Sequence, residues 1–124
     1  MSAHAELLEL YQEWKRLTEV EAGAIRSSDW AEVRLCQEEK QELRPKIIRA
    51  TEAAKKNPDA EFDAKIRECI NELILLETRN SEGLGRRLEA VEREMSELDR
   101  TTTRLKQVHK SYTGSRSAAW DQYS

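Results

Sequence analysis

At 124 residues the chain has the length of one ordinary domain, and its 38% hydrophobic content is low for a deep globular core. A formal net charge of −3 is too small to mark a general binder of nucleic acid or membrane surfaces. With only four glycines and two prolines, and with Ala, Leu, Glu, Lys, Arg and Gln filling most positions, the composition predicts an all-α protein, an elongated antiparallel bundle or coiled coil.

Leu7, Leu10, Trp14, Leu17, Glu21 and Ala24 recur at spacings of three and four, which places one stripe on a first helix from about Ala3 to Arg26. The pattern stops at SSDW. Asp29, followed three residues later by Glu32, predicts a capping-box-like start to a second helix, about 29–56. Its stripe runs through Val33, Cys36, Lys40, Leu43, Ile47, Ala50 and Ala54. Lys40 is the one charged member, and its aliphatic stem is expected to snorkel along the seam. Pro45 removes a backbone donor inside this pattern and predicts a kink or short break near Glu42 to Arg44.

The next punctuation is KKNPDAEF, where Asn57 suits an N-cap, Pro58 the first helical position, and Asp59 and Glu61 the first turn. A third helix over about 58–111 follows. Phe62, Ile66, Cys69, Leu73, Leu76 and Asn80 mark its first face, and Leu84, Leu88, Val91, Met95, Leu98, Thr102, Leu105, His109 and Tyr112 continue it. Between Asn80 and Leu88 the spacing becomes four and four, and Gly83 and Gly85 fall there, so a bend or a change of supercoil is expected.

At 1.5 Å per residue the third helix would be about 80 Å long and each of the others roughly half that. Two arrangements follow. If the first two helices form a hairpin on the first half of the third, the stripe from Leu84 to Tyr112 needs a partner. If they are strung out by opening the SSDW joint, they cover it internally. Thr102 and His109 succeed Leu88 and Met95 at the equivalent heptad position, so the seam weakens towards its C-terminal end. That grading suits a partner that must be released, and it equally suits a fraying helix end.

Arg100, Arg104, Lys106 and Lys110 form a basic run with no acid between Asp99 and Asp121, a distribution that favours the macrodipole at a helix C-terminus. Nucleic-acid binding by Arg100 to Arg116 is the weaker reading and is not expected; it would require a steeply salt-dependent affinity. The closing stretch SYTGSRSAAWDQYS combines small residues, which argue for mobility, with Tyr112, Trp120 and Tyr123, which argue for docking. The expected organisation is a single helical domain, 1–111, and a flexible tail, 112–124, with Tyr112 as the last rung of the seam.

No apolar stretch approaches the roughly 20 residues that span a bilayer, and MSAHAELLELYQEW has acids where a signal peptide has a basic start. A cytoplasmic protein without membrane insertion is expected. Cys36 and Cys69 show no CxxC spacing and read as reduced core or seam residues. Neither His4 nor His109 follows a Glu by three residues as a di-iron bundle needs, and Gly83-Leu84-Gly85 lacks a strand before it and a phosphate-loop lysine. No enzyme activity, cofactor or metal is expected.

The segments LLELYQEWKRLTEVEAGAIRSSDW, VRLCQEEKQELRPKI and ILLETRNSEGL, and the ending LKQVHKSY before a small tail, resemble the flagellar type III export chaperones of the FlgN/FliT class. The resemblance covers essentially the whole chain and rests on Asp29-Trp30, Lys40, Glu77 and Asn80 in LETRN, and Tyr112; Pro45 is not demanded by that pattern. It implies a cytoplasmic protein that sequesters the C-terminal helical segment of a hook-associated or filament-cap subunit, keeps it from assembling and delivers it to the export gate. Tyr112 matches the family's C-terminal aromatic, with Trp120 and Tyr123 as second candidates. A helix-in-groove contact would engage Leu84, Leu88, Val91, Met95, Leu98 and Leu105 together with those aromatics. The heptads leave self-pairing open, so a structural coiled-coil homodimer or scaffold without a flagellar client is the alternative.

Overall fold

In the computed structural model, which describes residues 2–116 and side chains as far as Tyr112, the chain is all-α: α1 (Ala3–Arg26), α2 (Trp30–Lys55) and α3 (Ala60–Arg116). Each start has a local cause. The Ser2 hydroxyl accepts from the Ala5 amide at 3.1 Å and the Asp29 carboxylate from the Glu32 amide at 3.2 Å, satisfying donors that a helix start leaves open. The expected box at Asp29 is one-sided, because the Glu32 carboxylate lies toward the Cys36 thiol, 3.9 Å away.

The joint between α1 and α2 follows from backbone hydrogen bonding. Ser28 sits at φ 58, and its amide reaches Ile25 O while the Asp29 amide reaches Ala24 O at 2.8 Å. That is a Schellman closure with a serine in the left-handed position that glycine usually fills. Arg87 adds a side-chain cap, donating from Nη2 to Arg26 O. At the second joint the cap of α3 is Asp59 rather than Asn57. The Asp59 carboxylate accepts from the Phe62 amide, whereas the Asn57 amide is spent on Ala54 O in closing α2. The start therefore moves from Pro58 to Ala60.

Two further expectations change. The helix α2 runs through Pro45 without the break predicted near Glu42 to Arg44. Pro45 and Gln41, whose carbonyl loses its usual donor, are both exposed, so water can serve that carbonyl while packing on either side holds the helix. The helix α3 continues to Arg116, which puts residues 112–116 in the helix rather than in the tail. Trp120 and Tyr123 lie outside the described residues.

The chain divides between Arg87 and Leu88 into two compact units. In the first, α1 and α2 form the closed hairpin: Leu7 packs with Ala50 and Ala54, and Ala24 and Ile25 with Val33, so the two run antiparallel. The first half of α3 lies against both. Phe62 and Ile66 join the Leu7 cluster, and Leu84 joins the cluster of Ala24, Ile25 and Val33. Burying a side chain such as Leu7 or Leu17 stabilises the bundle by about 1.5–3 kcal/mol. Small residues at Ala50 and Ala54 let the helices approach closely at that end.

Gly83 and Gly85 leave α3 helical, with negative φ at both. A Cβ at Gly85 would meet nothing within 4 Å. Gly85→Ala is therefore expected to raise stability by about 0.5–1 kcal/mol, the cost of glycine in a helix interior, read as a higher urea midpoint at unchanged slope.

Candidate partner-binding surface

Between the two apolar clusters of the first unit the helices meet through a polar layer. Lys40 on α2 donates to Glu21 Oε1 on α1 at 3.0 Å and to Glu77 Oε1 on α3 at 2.6 Å. Glu77 Oε1 also accepts from Trp14 Nε1 at 3.0 Å and lies 2.9 Å from the Thr18 hydroxyl. Asn80 donates to Glu21 Oε1 and to Thr18 O. The Lys40 ammonium stands 5.7 Å from the centre of the Trp14 ring. One cation thus holds two carboxylates, each from a different helix.

The side chains of Lys40 and Glu21 are only 7% and 5% exposed, so the ammonium does not snorkel to solvent as its place on the stripe suggested. Two anionic partners, the buried Glu21 and the partly exposed Glu77, hold it there through charge-assisted hydrogen bonds. Burial alone would raise the Glu77 carboxyl, but hydrogen bonds from Lys40, Thr18 and Trp14 outweigh it and keep the group below its ordinary value. Each stripe contributed one polar residue to this layer, Glu21, Lys40 and Asn80. That coincidence was the available signal; the pairing was not, because it joins residues far apart in the chain.

Cys36 is buried in the same unit, and desolvation with the nearby Glu32 carboxylate pushes its thiol up, away from the reactive thiolate. His4 packs edge-on against Phe62, ring centres 4.6 Å apart, at the far end of the hairpin. The polar layer is built to join helices.

The apolar stripe expected to bind a partner lies on α3 and is exposed over most of its length. Leu88 is 51% exposed, Met95 61%, Leu98 65% and Leu105 64%, with Val91 and Tyr112 less open. Leu84 differs: it is partly buried against Ala24, Ile25 and Val33, so it belongs to the packing of the first unit. The remaining members share one face by heptad spacing, and α3 is helical throughout.

A second apolar surface was not read from the sequence. On the first unit, Ile47, Ile48, Ile70, Leu73 and Ile74, with Tyr11 and Trp14, line a groove of ≈ 500 Å³. Ile48 and Ile74 are 62% and 59% exposed and lie off the stripes. The doubled apolar pairs Ile47-Ile48 and Leu73-Ile74 were the sign of it, since a periodic reading keeps Ile47 and Leu73 and passes over their neighbours.

No helix of the described residues is long and apolar enough to cross a membrane. No protein-family model, curated protein or solved structure matches the chain.

Proposed function

We propose that the chain is a cytoplasmic flagellar type III export chaperone. It binds the C-terminal amphipathic segment of a hook-associated or filament-cap subunit, prevents premature assembly and delivers the subunit to the export gate. The reading is supported by one observation above the others: Leu88, Val91, Met95, Leu98 and Leu105 stand exposed at heptad spacing on α3. Such a stripe buries the apolar face of a partner helix without chemistry or nucleotide, so the protein acts by binding alone and uses no cofactor. The polar layer of Glu21, Lys40 and Glu77 gives the first unit a defined register between α1, α2 and the first half of α3.

The test is retention of purified hook-associated and filament-cap subunits on the immobilised full chain, each offered intact and without its C-terminal segment. One intact subunit is expected to be retained and its truncated form to pass through. Passage of every intact subunit would remove the flagellar reading.

A further inference from the structure

We propose that the stripe of residues 88–112 also takes a second copy of this chain, with the two α3 segments running antiparallel. The choice of occupant comes from charge. Between Leu88 and Asp99 the helix carries Glu89, Glu92, Glu94, Glu97 and Asp99 against Arg93 alone, a net of −4. From Arg100 to Tyr112 it carries Arg100, Arg104, Lys106 and Lys110 with no acid, a net of +4 with histidine neutral. A parallel copy would set acid beside acid and base beside base. An antiparallel copy lays each acidic half on the other's basic half, so the surface is complementary to itself.

The register that pairs every layer sets Leu88 against the second copy's Tyr112, Val91 against its His109, Met95 against its Leu105 and Leu98 against its Thr102. In that register Glu92 flanks the seam beside the second copy's Lys106, and the two-fold axis repeats the contact. Glu92 and Lys106 are both exposed on α3. Asp99 meets its own counterpart near the axis, and the Thr102 and His109 layers are polar, so the pair is reversible rather than permanent. The inference goes beyond the client reading and stands without it, although a client helix and a second copy would compete for the same residues.

Sedimentation of the full chain over about 1–500 μM tests it, with Glu92→Lys, Lys106→Glu and the double variant beside the wild type. The wild type is expected to pass from monomer to dimer within that range and to dissociate more readily as salt rises. Each single reversal is expected to weaken the dimer about tenfold, because it replaces two attractions by two repulsions, and the double variant is expected to restore it. Unchanged helical content in all three variants keeps the comparison valid. A wild type that stays monomeric overturns the proposal, as does a dimer in which Lys106→Glu has no effect or in which the double variant is weaker than either single one. In a parallel pair Lys106 would face Thr101, and rescue would be absent. A monomer that still retains a flagellar subunit overturns the dimer alone; a dimer with charge-swap rescue that retains none overturns the chaperone reading alone.

Discussion

Lys40→Ala is expected to destabilise the first unit by about 3–5 kcal/mol, a large share of the stability of a domain this size. The alanine removes the one cation bonded to Glu21 among the described residues and leaves that carboxylate, whose side chain is 5% exposed, with Asn80 as its donor among them. Glu77 loses its shortest bond but is 39% exposed and can recover water, so most of the loss arises at Glu21. Urea unfolding followed by circular dichroism measures it. Replacing Lys40 by Met together with Glu21 and Glu77 by Leu is expected to recover much of the loss, because no charge is then buried unpaired.

The same contact sets a pH dependence. The Glu77 carboxyl is held below its ordinary value of 4.5 in the folded chain, so its contribution is present above that value and is lost as pH falls through the lower folded value. Wild-type stability is therefore expected to fall below about pH 4.5. In Lys40→Ala that loss shrinks, since Glu77 has less depression to lose. The gap between the two proteins narrows on acidification; a constant gap would mean that Lys40 acts through packing and not through charge.

The second large effect lies on α3. Met95→Asp combined with Leu98→Asp is expected to weaken capture of a helical partner by more than about 100-fold, since each apolar side chain contributes about 1.5–3 kcal/mol when buried and each carboxylate resists desolvation. Both positions are more than half exposed in the free chain, at 61% and 65%, so unfolding of the first unit should stay at the wild-type midpoint. Glu97→Gln, away from the stripe, is the control and should bind within about twofold. If capture survives the double substitution, the partner sits elsewhere, and the groove of Ile48 and Ile74 is the next surface to alter.

Which features of the fold are legible in the sequence depends on the range of the interaction. The starts at Ser2 and Asp29 rest on hydrogen bonds spanning three residues, and a hydroxyl or carboxylate before an apolar run announces them. The stripe on α3 is equally local, a matter of heptad spacing. Asp59 against Asn57 was a competition between two good caps two residues apart: Asp59 Oδ1 accepts from the Phe62 amide, while Asn57 still lies in the closing turn of α2, its backbone N–H on Ala54 O. Pro45 was judged by its cost to an isolated helix, whereas the packing of α2 on α1 carries the helix across it.

The apolar surfaces divide in the same way. Leu88 and Leu98 were recognisable as a stripe from spacing, but Leu84, on the same stripe, belongs to the cluster around Ile25 because the hairpin covers it. Ile48 and Ile74 form a groove only because α2 and α3 are neighbours. Periodicity says which side chains share a face and is silent on which face meets which.

By itself the amino-acid sequence determined the all-α class, the three helices, most of their ends and the apolar face of each, because caps and helical periodicity act within a few residues. Only the tertiary structure decided that α1 and α2 close into a hairpin, that Lys40 is clasped by Glu21 and Glu77, and that the stripe is covered at Leu84 but exposed from Leu88 onward. Those outcomes depend on pairings between distant segments, which are selected by the packing and charge compensation of the whole bundle.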